Sequence, residues 1–139
     1  MSNRRPIGWC VWFVLILIGC GERGDRRSLE GTVTLDSASL AAGQITFVPQ
    51  PGTKGPTAGG QITEGRFSIP RKGGTFTGKF LVQITATRKT SKQVMNYALD
   101  EMIDEIEQFL PLRYNRQSEL TAEVTASGPN QFVFALTSP

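Results

Sequence analysis

The chain has 139 residues and no histidine. That removes the commonest general base, the commonest metal ligand and every Ser–His or Cys–His nucleophile pair. Carboxylates remain, but a glycosidase needs two of them across a cleft at a fixed separation. Twelve acids in so small a domain make pairs by chance, and none is singled out. Ser68 and Ser91 have no spacing to a lysine that promotes a Ser–Lys nucleophile. Asp100, Glu101, Asp104, Glu105 and Glu107 crowd one stretch, and Ca²⁺ accepts clustered carboxylates. The glycine turn and alternate ligands of an EF-hand loop are missing there, so the stretch reads as a solvated face. Gly73-Gly74 is followed by neither GK[ST] nor a helix start, and reads as a loop rather than a phosphate cradle. No catalytic residue, metal or cofactor is expected.

The cysteines offer a different chemistry. Behind Arg4 and Arg5, Ile7 to Ile18 runs without a charge. Twelve helical residues span roughly 18 Å, short of the ~30 Å hydrocarbon core. A processing signal fits better than a permanent transmembrane helix. Pro6 directly after the twin arginine argues against a Tat signal. The run ends in Leu17-Ile18-Gly19-Cys20, which resembles the lipobox of bacterial lipoprotein precursors. That resemblance implies a diacylglycerol on the Cys20 sulfur, cleavage after Gly19, and a further acyl chain such as palmitate on the new amino terminus. An uncleaved signal anchor with Cys20 as bystander is the alternative. With Cys10 removed and Cys20 acylated, no disulfide is left to support the fold.

Processing also changes the charge. The full chain carries +3, whereas residues 20–139 hold thirteen bases against twelve acids. A nearly neutral domain has no global field to attract nucleic acid. Residues 1–19 are thus expected to be a signal peptide and 20–28 a lipidated cysteine with a polar tether, leaving 29–139 as one domain. A flexible tether of eight residues reaches roughly 15 Å, which keeps the domain near the headgroups, where Arg23, Arg26 and Arg27 can meet anionic lipid.

From Leu29 onward the apolar period is two. Leu29, Val33 and Leu35 alternate with polar residues, as do Ile45 and Phe47, Ala58 and Ile62, Phe67 and Ile69, and then Phe80, Val82, Ile84 and Ala86. Leu120, Ala122 and Val124, followed by Phe132, Phe134 and Leu136, complete seven strands. Turn residues separate them: Asp36 to Ser39, Pro51 to Pro56, Thr63-Glu64-Gly65, Gly73 to Gly78, and Ser127 to Asn130, which is expected to close a final hairpin. Seven short strands with one apolar side each predict an all-β fold, an antiparallel sandwich of two sheets. One segment departs from this pattern. Leu99, Met102, Ile103, Ile106, Phe109 and Leu110 recur at helical spacing, which predicts a short amphipathic helix over 99–110 inserted before the sixth strand. Pro111 would end it.

Glu30-Gly31-Thr32-Val33-Thr34-Leu35-Asp36, Leu40 to Pro49, Gly65 to Ile69, Gly78 to Val82, Pro111 to Asn115 with Ser118 to Leu120, and Phe132 to Leu136 together resemble a known family. It is that of the carboxypeptidase-regulatory-like (transthyretin-like) lipoproteins of planctomycete bacteria. The resemblance implies a seven-stranded prealbumin-like (Ig-like) sandwich on a lipid anchor, with no catalytic residue to carry over. Transthyretin-like hydrolases of the purine pathway depend on histidines that this chain lacks. Ser37 stands where the family usually has glycine. Arg113-Tyr114-Asn115 reads either as a recognition loop or as a tyrosine-corner contact at the sandwich edge.

The function expected from these readings is a lipid-anchored, non-enzymatic structural or binding module of the cell envelope. It would face the periplasm or exterior, with Gly21 beside Cys20 resembling outer-membrane lipoproteins. Its partners would be the membrane, through Cys20, and an envelope protein or glycan. The alternative is a carbohydrate- or peptide-binding adhesion module that uses the loops Pro51 to Pro56 and Gly73 to Gly78.

Overall fold

The computed structural model describes residues 25–139. Leu17, Ile18, Gly19 and Cys20 lie outside the described residues. Ten strands follow one another: β1 (Leu29–Leu35), β2 (Ala38–Ser39), β3 (Ala42–Pro49), β4 (Ala58–Thr63), β5 (Arg66–Ile69), β6 (Gly78–Thr85), β7 (Thr87–Asn96), β8 (Glu101–Gln108), β9 (Thr121–Val124) and β10 (Gln131–Leu136). Short 3₁₀ turns occupy Arg71–Gly73 and Leu112–Tyr114.

Seven strands form one hydrogen-bonded path in the order β10-β1-β5-β4-β3-β6-β9, with β2 attached to β1. In a flat sheet β3 and β10 would lie four strand spacings, about 19 Å, apart. Yet the rings of Phe47 on β3 and Phe132 on β10 have centroids 5.6 Å apart, and Phe47 also meets Phe67 on β5 at 5.9 Å. The sheet therefore curls until its ends face one another. The fold-over begins at β4 and β5, which pair only at Ile62↔Phe67 and Thr63↔Arg66 before parting to β3 and β1 respectively. Every second side chain of the alternating segments points inward: Val33, Ile45, Phe47, Phe80, Val82 and Ile84 are wholly buried. The predicted strand faces and the core agree.

Two tight turns carry the geometry of the hairpins. Asp36 (φ 50°) and Ser37 (φ 68°) join β1 to β2, and Glu64 (φ 50°) and Gly65 (φ 74°) join β4 to β5. Both residues of each two-residue loop are left-handed, as in the type I′ turns whose twist suits a hairpin. Gly65 has a second constraint, because a Cβ there would lie 2.7 Å from that of Ser39.

Three expectations are corrected. The curled sheet is not wholly antiparallel: β10 runs parallel to β1, from Glu30↔Gln131 to Leu35↔Leu136. The final hairpin is absent, since β9 and β10 sit at opposite ends of the path. The connection between them is closed instead by the Asn130 side chain, whose Oδ1 accepts from Thr125 N at 2.8 Å while Nδ2 donates to Thr125 O at 3.2 Å. The amphipathic helix over 99–110 is also absent. Glu101–Gln108 is strand β8, paired antiparallel with β7 as a separate two-stranded ribbon. As a helix, this stretch would set Asp100 against Asp104 and Glu101 against Glu105 at four-residue spacing, like charges that repel. As a ribbon, its acids face the bases of β7.

Phe47→Ala is expected to lower the unfolding free energy by about 3–5 kcal/mol, the usual cost of emptying a closed aromatic site. Ser37→Gly is expected to raise it by about 0.5–1 kcal/mol, with left-handed strain relieved against a freer unfolded chain. Urea denaturation of the two variants measures both.

Candidate functional site

The strand directions sort the loops into two ends. Where β1, β6 and β10 start and β3, β5 and β9 finish lies the end at which the chain enters the domain. The last residues of the expected tether are packed there: Arg27 N donates to Thr75 O at 2.7 Å, Arg26 Nη1 donates to Lys72 O at 2.9 Å, and Arg27 pairs with Asp25 at 2.8 Å. The loops Pro51 to Pro56 and Gly73 to Gly78 meet at this end. Thr75 Oγ1 donates to Pro56 O at 2.7 Å, and Thr53 Oγ1 accepts from Lys79 N at 3.1 Å. With Asp25 and Arg27 they line an open groove of about 510 Å³. The Arg27 Nε beside it is shielded from solvent and has no hydrogen-bond partner among the described residues.

Arg113, Tyr114 and Asn115 occupy the opposite end, where Arg113 and Tyr114 engage Thr137 and Ser138. Arg113 Nη2 donates to Thr137 Oγ1 at 2.8 Å, Thr137 O at 3.0 Å and Ser138 O at 3.2 Å. The Tyr114 hydroxyl accepts from Thr137 N at 3.0 Å and lies 3.2 Å from Thr137 Oγ1. The Arg113 guanidinium stacks 4.9 Å over the Tyr114 ring. Hydrogen bonds from the Thr137 hydroxyl and then from Arg113 lower the Tyr114 pKa. Asn115 Nδ2 donates to Pro111 O at 3.1 Å. This turn latches the end of β10 to the sheet, much as a tyrosine corner does.

The ribbon β7–β8 leaves from this same end, one residue after β6, and sequence reasoning missed it. Strands of eight to ten residues make it roughly 25–30 Å long. Its base is fixed by Gln108, whose Oε1 accepts from Ala86 N at 3.0 Å and Leu110 N at 3.2 Å and whose Nε2 donates to Leu110 O at 2.8 Å. Both of those neighbours are buried. Its length is held by opposite charges: Arg88 with Glu107 at 2.6 Å and Lys89 with Asp104 at 2.9 Å, together with Thr90 Oγ1 donating to Glu105 at 2.7 Å. β7 bears three bases and no acid, and β8 bears four acids and no base. That complementarity across Tyr97–Asp100 was the available signal for a hairpin. Glu101, Glu105 and Glu107 share one ribbon face with Asp104 on the other, and among the described residues no group of three acids converges as a metal site.

Little else covers the ribbon. Seven of the nine large apolar side chains exposed among the described residues lie on it. Val94 pairs across to Ile103 on one face and Met95 to Met102 on the other, while Tyr97 at the tip is 91% exposed. Isolated apolar residues on a surface are ordinary, but a concentration of them marks a contact surface. A shallow hollow of about 670 Å³ on the outer face of β10, β1 and β5 has no such character. Its Glu30 and Gln131 already bond each other at 2.8 Å.

No helix among the described residues is long and apolar enough to cross a membrane. Comparison with protein-family models, curated proteins and solved structures finds no match to this chain.

The Lys89 ammonium, first by hydrogen bond and then by charge, holds the Asp104 carboxyl below the ordinary aspartate value. The ribbon is therefore fully supported above the unfolded aspartate pKa and loses that support as pH falls through the lower folded one. Amide hydrogen exchange of 87–108 is expected to quicken on acidification after correction for intrinsic rates, and Asp104→Asn is expected to remove that pH response. Gln108→Ala is expected to quicken exchange of the same residues at neutral pH while the core amides of β3 and β6 stay unchanged.

Proposed function

We propose that the chain is a lipid-anchored, non-enzymatic binding module of the cell envelope. It is held through Cys20, faces the periplasm or exterior with the outer membrane favoured, and makes contact through its β7–β8 arm. Its body is a prealbumin-like sandwich, a reading supported by the seven-strand path and by the inward aromatic cluster. The observation that carries the functional reading is the placement of the two ends. Residues 25–27 pack beside the start of β6, and the arm departs one residue after its end. Eight strand residues separate these points by about 23 Å. A domain held by its amino terminus thus carries the arm on its far side.

The arm's chemistry favours a protein partner over a glycan. Its exposed apolar residues include two methionines and four aliphatic side chains, which adapt to an irregular protein surface. Only Tyr97 supplies an aromatic ring there. The groove between the loops Pro51 to Pro56 and Gly73 to Gly78 lies at the tether end, which makes those loops the weaker contact element. The absence of histidine supports a non-enzymatic role.

Cys20→Ser is expected to shift the protein from the membrane fraction to the soluble fraction, and retention in membranes would contradict the anchor. Replacing Thr90–Glu105 by a two-residue Asn-Gly turn is expected to leave the unfolding free energy within about 1 kcal/mol, because so little of the arm is buried. A crosslinker placed at exposed Leu112, at the same end of the body, should capture a protein in native membranes only when the arm is intact. An unchanged crosslinking partner at the body would move the contact off the arm.

A further inference from the structure

The charge of this domain is divided between its ends. Within two strand positions of the tether end stand Arg26, Arg27, Lys54, Arg71, Lys72 and Lys79, against Asp25, Glu30 and Glu123. The rest of the described residues, arm included, hold six bases and eight acids. The net charge of +1 over residues 25–139 thus conceals a positive end of +3 and a negative end of −2. Four of the bases form one cluster. Arg26 reaches Lys72 O at 2.9 Å, and Asp25 lies between Arg27 at 2.8 Å and Arg71 at 3.4 Å. Lys54 borders the same groove as Arg27. A single carboxylate therefore serves two guanidinium groups, and the Arg27 Nε is left without an acceptor among the described residues.

We infer that this end is a seat for the headgroups of anionic lipid, so that the basic cluster presses the domain onto the membrane and holds the arm erect. The inference rests on the anchored reading and adds an orientation to it. A lipid anchor alone fixes only one point and leaves the body free to tumble on its tether. Phosphate oxygens of anionic headgroups can accept from the exposed Arg71 and Lys72 side chains of this cluster. The negative surface potential of such a membrane attracts bases within a Debye length. It also repels the arm, which carries three bases and five acids. Attraction at one end and repulsion at the other give a single stable orientation, with the β7–β8 tip farthest from the lipid.

The test uses the processed full chain, purified from membranes and reconstituted into phosphatidylcholine vesicles with or without about 30% phosphatidylglycerol. Amide hydrogen exchange is followed by mass spectrometry. In the anionic vesicles the loops 51–56 and 70–77 are expected to exchange about fivefold more slowly than in the neutral ones, and about 0.5 M NaCl should abolish the difference by screening. Residues 87–108 should exchange alike in both. Arg71→Gln with Lys72→Gln, both on an exposed turn, should remove the lipid dependence while the protein still floats with the vesicles. Equal exchange of the loops in both lipids, or slowing that survives the double substitution, would overturn the inference and leave the anchor intact. Failure to float with either vesicle would overturn the anchor and this inference with it.

Discussion

The contact of Phe47 with Phe67 and Phe132 is the constraint on which the rest of the structure depends. These rings come from β3, β5 and β10, strands that meet only if the sheet closes over on itself. Closure needs β4 and β5 to part after two paired positions, which in turn needs the left-handed Glu64-Gly65 turn. It also brings the two ends of the chain's path into one compact body, with β10 supported by β1 and tied at its far end by Arg113 and Tyr114. With no disulfide among the described residues, the inward rings and aliphatic side chains must supply the stability, at roughly 1.5–3 kcal/mol for each one fully buried.

That closed body sets the two ends apart. Because strands run the length of the sheet, a chain entering beside the start of β6 and an insertion leaving after its end are placed on opposite sides without any further device. The arm adds almost nothing to the core, so its cost is repaid outside the domain or not at all. Its bases and acids pair with each other across the ribbon, which keeps it extended without burying its apolar residues. An isolated hairpin is marginal in water; here the Gln108 side chain fastens its base to the buried Ala86 and Leu110.

Much of this was legible in the sequence. The period-two alternation identified the inward residues Val33, Ile45, Phe47, Phe80, Val82 and Ile84, because burial of one face imposes that pattern locally. Pairing is a different matter. Nothing within Gln131–Leu136 says that it lies parallel to β1, since the register comes from a partner about a hundred residues away. The stretch from Leu99 to Leu110 misled for a related reason. Apolar residues at 99, 102, 103 and 106 suit a helical stripe, and they equally suit a ribbon with both faces wet. What decides between the two is the run of bases at Arg88, Lys89 and Lys92 on the far side of a turn, outside any window centred on the acids. Arg113, Tyr114 and Asn115 stand out in the sequence as a unit, but the hydrogen bonds of Arg113 and Tyr114 to Thr137 and Ser138 emerge only from the fold.

The account turns on the arm being an extended, exposed ribbon. Nuclear magnetic resonance of the isotopically labelled protein tests this most directly. Strand-type carbon shifts over 87–96 and 101–108, with cross-strand contacts between Met95 and Met102 and between Val94 and Ile103, are the predicted result. Helical shifts running unbroken from Leu99 to Leu110, with contacts between residues three apart, would contradict it.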